Sequence, residues 1–228
     1  MALATWWQSD SLPSLPVVDG FHARVCDDDA PMAELNRIPI EEIRARRKAG
    51  HRPYVAYLDD APVAYGWVAT REASIGELEL IIALPPRERY LWDFATLPAW
   101  QGRGFYPRLL QAIFHQEANE AERFWIIYAP ENLPSGAGMR KAGFALAAEL
   151  SFDADRQVRL APLSAYERAR AAAELLGIPL IDDPLAPCWS CQSAEAADTA
   201  SAACWPQSGE AAACNCAIER KPSAVLVV

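Results

Sequence analysis

The segment at residues 101–106 carries groups that could bind a diphosphate. It reads Gln-Gly-Arg-Gly-Phe-Tyr and stands between a strand-like apolar run at residues 90–97 and a segment with apolar residues at helical spacing. The first turn of a helix leaves N–H groups without intrahelical partners, and the helix dipole places partial positive charge there. Gly102 and Gly104 lack a Cβ, so a diphosphate can approach the main chain closely. The predicted donors are the amides of Arg103, Gly104, Phe105 and Tyr106.

Two other nucleotide-binding motifs do not fit this segment. A Rossmann fingerprint requires a third glycine where Pro107 stands, and a P-loop requires a Gly-Lys-Ser/Thr sequence that the segment lacks. The sequence therefore supports neither of these nucleotide-binding folds.

A second group of residues lies downstream. Residues 124–129 are typical of a fully buried strand, and residues 135–142 are predicted to form a short helix that ends at Gly143. The order of the two groups is Gln101-x-x-Gly104, then Asn132-x-x-Ser135, then Lys141-Ala142-Gly143-Phe144. This order and spacing resembles the GNAT superfamily of N-acetyltransferases over roughly residues 17–160.

The resemblance implies a fold and an activity. The fold is an α/β domain with a mixed, mostly antiparallel central sheet that is splayed near its middle and flanked by helices. The activity is transfer of an acetyl group from acetyl-coenzyme A, the co-substrate, to a primary amine. The acceptor would be a small-molecule or peptide amine, and two early helices, at residues 33–37 and 40–48, would form one wall of its pocket.

The resemblance also implies which residues bind the coenzyme. In the family the first signature binds the pyrophosphate, and the strand before it polarises the thioester carbonyl with a main-chain N–H. The second helix lies beside the pantetheine arm. The implied binding residues are Ala95, Thr96, Leu97, Gln101, Gly102, Arg103, Gly104, Phe105, Tyr106, Asn132 and Ser135. For Ser135, capping of the following helix is the alternative.

Two positions depart from the family pattern. The family usually has a small residue where Tyr106 stands, so this side chain is expected to point away from the phosphates unless the loop is remodelled. The family often has a tyrosine, the proposed general acid for the leaving thiolate, where this chain has Met139. A thioether cannot donate a proton. Protonation of the thiolate therefore needs another residue.

Acetyl transfer needs a neutral amine and a proton for the departing thiolate. Asp93 is the first candidate for the base, and its alternative is a structural carboxylate paired with Arg87 or Arg89. Glu77 and Glu79, which we expect on one face of a strand at residues 77–84, are substitutes for which a solvated strand face is the alternative. Tyr128 is the candidate acid, although an aromatic residue at that place is often part of a core.

The composition of the chain limits the classes of partner that the protein is expected to bind. The 228 residues carry a formal net charge of −9, with a pI near 4.9, and 52% of them are hydrophobic. Such a surface argues against nucleic acid or an anionic membrane as the main partner. It better suits a cationic or neutral acceptor. No run is long and apolar enough to cross a bilayer, and the N-terminus lacks a basic region and an apolar core, so we expect a cytoplasmic protein. The sequence leaves open whether the protein forms a homodimer.

The chain is predicted to have four parts. Residues 1–16 form an irregular arm, 17–162 the acetyltransferase domain, 163–183 a helix and linker, and 184–228 an irregular Cys-rich tail. In the tail, Cys188, Cys191, Cys214 and Cys216 could supply four thiolates to a zinc ion. A disordered or disulfide-forming tail is the alternative.

A second function remains open at this stage. Met139 and the unassigned base are compatible with a coenzyme A-binding regulatory or partner-binding module that lacks turnover. Thiol release in the presence of amines separates the two functions.

Overall fold

The computed structural model describes residues 1–152 and 157–181, and these fall into two compact units. The larger unit contains residues 4–127 and 134–145. The smaller unit contains residues 1–3, 128–133 and the described residues from 146 onward. In the described part of the chain, no helix is long and apolar enough to cross a membrane.

The chain alternates strands and helices. The strands are β1 (Ala2–Trp7), β2 (Phe21–Val25), β3 (His51–Leu58), β4 (Ala61–Ala69), β5 (Glu72–Ile75), β6 (Leu80–Ala83), β7 (Glu88–Thr96), β8 (Arg123–Tyr128), β9 (Ala145–Phe152) and β10 (Val158–Pro162). The α-helices are α1 (Asp29–Asn36), α2 (Ile40–Lys48), α3 (Phe105–Glu117), α4 (Leu133–Ala142) and α5 (Tyr166–Leu176). Short 3₁₀ turns lie at Gly76–Leu78 and Pro98–Trp100.

The sheet of the larger unit has the strand order β1-β8-β7-β4-β3-β2, and β1 belongs to this unit with residues 4–7. The pairs β2–β3, β3–β4 and β4–β7 are antiparallel, whereas β7 and β8 are parallel. Strands β5 and β6 form a separate antiparallel hairpin between β4 and β7 in the chain. The larger unit therefore has a mixed, mostly antiparallel sheet, as the sequence predicted.

The smaller unit is built on β9 and β10, which pair antiparallel from Phe152–Val158 to Ala148–Pro162. The Leu150 N–H donates to the Met1 carbonyl over 2.8 Å, and the Met1 ammonium donates to the Leu150 carbonyl over 2.7 Å. Helix α5 follows and ends at Gly177, whose φ of 65° is left-handed. The α/β fold class is thus confirmed for the described residues, while residues 184–228 lie outside them.

The N-terminus corrects one prediction. Residues 1–16 were expected to form an irregular arm, but Ala2–Trp7 is a strand whose residues are almost all buried. The Thr5 hydroxyl donates to the Phe124 carbonyl over 2.9 Å, and the Trp6 ring stacks on Phe114. A strand that is covered on both faces has no alternation of polar and apolar residues, which is why periodicity did not reveal it. Residues 11–18 have no regular structure.

Between β4 and β7 the structure differs from the expected strand at residues 77–84. A 3₁₀ turn occupies Gly76–Leu78, Glu79 has a left-handed φ of 52°, and only Leu80–Ala83 is extended. Glu77 and Glu79 therefore do not share one face of a strand. The predicted helix at residues 40–48 is confirmed.

Helix α3 is anchored to the sheet along its apolar face. Leu109, Leu110, Ile113 and Phe114 are all buried. At its C-terminal end, the buried Glu117 carboxylate accepts hydrogen bonds from Arg52, Tyr54 and Arg89 over 2.7 to 2.9 Å. These contacts fix the direction in which the first turn of α3 points.

Candidate active site

Strand β7 has an open edge. Its parallel pairing with β8 runs from Glu88–Arg123 to Leu91–Ile126, and within the described residues no pair with β8 continues from Trp92 to Thr96. On its other edge β7 stays paired with β4 as far as Thr96. The two parallel strands thus separate near their middle, as predicted, and main-chain groups of β7 are left for another partner.

Main-chain alternation tells which amides face this open edge. The Leu97 N–H donates to the Val63 carbonyl over 2.9 Å, so it points toward β4. Because successive residues of a strand point their N–H groups to opposite edges, Thr96 faces the open edge and Ala95 faces β4. Among the three predicted coenzyme contacts on this strand, Thr96 therefore directs its main-chain N–H to the open edge.

A β-bulge interrupts β7 at Asp93. Tyr65 pairs with Ala95 but Trp67 pairs with Trp92, so two residues of β7 lie opposite the single residue Gly66. Asp93 has a φ of 51°, in the left-handed region. Gly66 is needed here, since a Cβ at this position would lie 2.2 Å from the Phe94 ring. The bulge breaks the alternation of faces that a regular strand would give Asp93 and Phe94.

Residues of helices α1 and α2 hold the Asp93 side chain in place. Its Oδ2 accepts from the Arg46 guanidinium over 2.5 Å and from the Asn36 amide over 3.3 Å. The structural alternative for Asp93, an ion pair, is therefore present, although with Arg46 rather than Arg87 or Arg89. A role as general base stays a prediction.

Arg46 itself is fixed by aromatic rings. Its guanidinium lies 4.5 Å from the ring centre of Trp92 and 5.1 Å from that of Trp67. The Trp67 indole N–H also donates to the Asn36 side-chain oxygen over 3.0 Å. Sequence reasoning did not select Arg46. A signal existed, because Arg46 and the buried Ile43 are three residues apart and so share the face of α2 that packs on the sheet.

Helices α1 and α2 cover this region of the sheet. Met32 of α1 and Ile43 of α2 are fully buried in one cluster with Tyr65 and Trp67 of β4 and Ala95 of β7. The expectation that the two early helices form one wall of the acceptor pocket stays a prediction. Burial raises the pKa of Tyr65, the negative charge of Asp93 adds to that effect, and a hydrogen bond with Asn36 opposes it.

The glycine segment exposes the start of α3. Gly102 and Gly104 have φ values of 74° and 77°, and a Cβ at Gly102 would meet no atom within 4 Å. Gly104 is the N-cap of α3, and no side chain caps the helix there. The first-turn amides are therefore not taken by a capping side chain. An anion cradle at this helix start stays a prediction.

Side chains around the segment hold its main chain in place. Arg108 donates to the carbonyl oxygens of Gly104 and Pro16, each over 2.6 Å. Gln101 donates to the Thr96 carbonyl over 3.2 Å. Arg103 is exposed, and its guanidinium lies 4.9 Å from the ring centre of Trp100. Gln101 thus acts on the protein main chain in this structure, while Arg103 presents its charge to solvent.

Tyr106 turns inward from the segment. Its ring packs at 5.7 Å from Phe94, and a Cβ on Gly138 would lie 2.4 Å from it. The hydroxyl is buried beside the buried Ser135. Burial raises the pKa of Tyr106, and the neighbouring Ser135 hydroxyl lowers it by a smaller amount. The side chain leaves the loop surface free for phosphates, as predicted.

The other predicted residues belong to the smaller unit, to α4 or to the part of the chain that the structure does not describe. Tyr128, which is buried, and Asn132, which is half-buried, belong to the smaller unit. Met139 of α4 is buried. The predicted zinc ligands Cys188, Cys191, Cys214 and Cys216 lie outside the described residues, and within those residues no group of side chains could hold a metal ion. A zinc site in the tail therefore stays a prediction.

The open edge of β7 thus leads into a helix start that no side chain caps. The family model described as the acetyltransferase (GNAT) family matches residues 15–144, which is more than half of the chain. The chain belongs to this family, and the enzyme class predicted from the sequence, an N-acetyltransferase, is confirmed.

Several solved structures match part of this chain. A GCN5-related N-acetyltransferase from Kribbella flavida has a TM-score of 0.40 and 17% identity; the match covers 64% of this chain but only 53% of that one. AAC(6')-Ib, solved with parmomycin and acetyl-coenzyme A, has a TM-score of 0.44 and 17% identity, over 59% and 85% of the two chains. RimL, a ribosomal L7/L12 alpha-N-protein acetyltransferase solved with coenzyme A, has a TM-score of 0.44 and 16% identity, over 63% and 89%. A comparison with curated proteins finds no match.

Proposed function

We propose that this protein transfers an acetyl group from acetyl-coenzyme A to a primary amine. The observation that supports this most strongly is the continuous run of main-chain groups from the open edge of β7 to the uncapped first turn of α3. A thioester on a pantetheine arm and a diphosphate are the two parts of acetyl-coenzyme A that such a run would bind. The family to which the chain belongs supports the same co-substrate.

The coenzyme is proposed to lie along this run. The diphosphate accepts hydrogen bonds from the amides of Arg103, Gly104, Phe105 and Tyr106, and Gly102 leaves room for it. The pantetheine arm extends beside Thr96 toward the bulge. At the start of α4, Asn132 and Ser135 are proposed to contact the arm, as the family motif implies.

The reaction needs one bond to form and one to break. The neutral amine attacks the thioester carbonyl carbon, a C–N bond forms, and the C–S bond breaks to release a thiolate. A main-chain N–H at the bulge stabilises the negative charge that develops on the carbonyl oxygen. The amine proton passes to water, and Tyr128 is proposed to donate a proton to the thiolate because Met139 cannot.

The acceptor is proposed to be a small-molecule or peptide amine. The net charge of −9 favours a cationic or neutral acceptor over an anionic one. The acceptor would approach from the wall made by α1 and α2, which covers the bulged part of β7. Neither a homodimer nor a particular cellular compartment is needed for this chemistry.

Thiol release tests the proposal. The protein is mixed with acetyl-coenzyme A and a panel of amines that includes an aminoglycoside, a polyamine and peptides with a free α-amine, and free thiol is measured over time. We expect release that depends on one class of amine and stays at background without an amine. Tight binding of acetyl-coenzyme A without thiol release across the whole panel would instead support the coenzyme-binding module without turnover.

A further inference from the structure

We propose that Asp93 is a positioning residue: anchored by Arg46 and Asn36, its carboxylate holds the bulge in β7 that directs a main-chain N–H toward the thioester carbonyl. This inference rests on the proposed function and deepens it, since it assigns the polarising group to a built feature of the strand. It also gives the contacts between α2 and β7 a role in catalysis.

The first line of support is the backbone of Asp93. The other non-glycine residues with positive φ in the described chain, Arg37, Asp59, Glu79 and Arg87, lie at a helix end or in turns, whereas Asp93 lies inside a strand. A non-glycine residue in this region is sparsely populated and persists only when its surroundings fix it. Aspartate tolerates this conformation better than most residues.

The second line of support is the anchor. Arg46 contributes one hydrogen bond to Asp93 at 2.5 Å, and its guanidinium lies against the rings of both Trp67 and Trp92. Asn36 contributes a second hydrogen bond and is oriented by the Trp67 indole. The side chains of Arg46 and Asp93 are only 14% and 24% exposed, so solvent screens this pair less than a surface pair. The anchor is thus rigid on both sides.

The third line of support is what the bulge does to the strand. Because two residues of β7 lie opposite Gly66, the alternation of N–H groups between the two edges of β7 shifts by one residue on the N-terminal side of Asp93. The bulge comes after the last pair with β8, at Leu91, and so lies in the stretch of β7 whose edge is open. A regular strand would present its N–H groups there at a different spacing and angle. The bulge therefore sets which amide meets the carbonyl.

Substitutions at Asp93 separate positioning from general base catalysis. Asp93→Asn keeps an oxygen that accepts from Arg46 and tolerates positive φ, but it cannot take a proton. Asp93→Ala loses the anchor and disfavours positive φ. Asp93→Gly tolerates positive φ but loses the anchor. Positioning predicts that Asn is active and that Ala is impaired, with Gly between them.

The expected kinetic results are specific. For Asp93→Asn we expect kcat within about threefold of wild type and an unchanged pH profile. For Asp93→Ala and Arg46→Met we expect kcat to fall on the order of 30-fold, with KM for acetyl-coenzyme A changed less than about threefold, as for loss of a group that stabilises the transition state. The double variant Asp93→Ala/Arg46→Met should be no worse than either single variant, because both remove the same anchor.

Two further readouts report geometry directly. The carbonyl stretch of ¹³C-labelled acetyl-coenzyme A bound to the protein should move toward its value in water for Asp93→Ala but not for Asp93→Asn. Without any ligand, the Asp93 ¹³Cα chemical shift should move toward a strand-like value in Arg46→Met. This second measurement tests the anchor even if wild-type protein releases no thiol, an outcome that would remove the proposed function alone.

Two results would contradict the positioning role of Asp93. A loss of more than about 100-fold in kcat for Asp93→Asn, together with loss of the acidic limb of the pH profile, would show that Asp93 is the base. An unchanged Asp93 chemical shift in a folded Arg46→Met variant would show that Arg46 does not hold the bulge. Either result overturns the positioning role.

Discussion

The ring of Tyr106 lies so close to Gly138 that a Cβ on Gly138 would fall 2.4 Å from Cδ1 and 2.9 Å from Cε1 of that ring. A large residue at the start of α3 and a residue without a side chain in the middle of α4 thus complement each other. This contact lets the loop that starts α3 keep its main chain exposed, because the tyrosine side chain is accommodated on the inner side.

The contact predicts that Gly138→Ala destabilises the protein. In a helix interior this change would ordinarily stabilise by about 1 kcal/mol. Here the added methyl group meets a ring that is packed on Phe94, and overpacking of this kind costs about 1–3 kcal/mol. We therefore expect a net loss in the free energy of unfolding, measured by urea denaturation.

The double variant supplies the control for this prediction. In a Tyr106→Ala background, Gly138→Ala should no longer destabilise, because the ring that it meets is gone. Equal costs in both backgrounds, which a double-mutant cycle would reveal, would mean that the two residues do not interact.

The carboxylate at the end of α3 predicts a second stability effect. Glu117→Gln removes the charge that pairs with the buried Arg89 and with Arg52 and accepts from Tyr54. Loss of one partner of a buried ion pair typically costs about 3–5 kcal/mol. We expect a loss near the lower end, since Glu120 still contacts Arg89 at 3.2 Å, and a fall in melting temperature.

An exposed pair provides the matched comparison. Glu122 pairs with Arg87 at 2.8 Å, but both side chains are about half exposed. Glu122→Gln should therefore cost less than about 1 kcal/mol. Similar losses for Glu117→Gln and Glu122→Gln would show that the network around Glu117 adds no more than a surface pair.

His51 predicts a dependence of stability on pH. Burial lowers the pKa of His51 from its ordinary value of 6.5, and the nearby Arg46 charge lowers it further. The unfolded chain then binds a proton at a higher pH than the folded chain does, so His51 reduces stability as pH falls below about 6.5. Above that pH the effect is absent.

The substitution that tests this is His51→Gln. Between pH 7.5 and pH 5, the free energy of unfolding should fall less for the variant than for wild type, by at most about 1.4 kcal/mol per pH unit for a single proton. Parallel pH profiles for the two proteins would contradict the prediction.

Sequence patterns among neighbouring residues predicted the parts of the fold that depend on such residues. The turn at the glycines at positions 102 and 104 and the apolar face of α3 depend on the spacing of nearby residues, and each is present. The segment Ala2–Trp7 could not be found this way because a strand buried on both faces has no period.

The bulge was beyond local reasoning for another physical reason. The residues that fix Asp93 stand 47 and 57 positions away in the chain, at Arg46 and Asn36. Only the folded structure brings them together. By contrast, the complementarity of Tyr106 and Gly138 had a sequence signal, since a bulky residue at a usually small position and a glycine in a helix interior both call for an explanation.

Calorimetric titration with acetyl-coenzyme A tests the central claim most directly. Gly102→Ala is the informative variant, because position 102 has space for a methyl group in the folded protein but has a positive φ and faces the proposed diphosphate. Gly177→Ala is the matched control, since position 177 also has a positive φ, its Cβ would also meet no atom within 4 Å, and it lies outside the loop. We expect one binding site per chain in wild type and Gly177→Ala, and affinity at least about tenfold weaker in Gly102→Ala, a loss of about 1.4 kcal/mol. No binding by the wild type, or equal affinity in all three proteins, would contradict it.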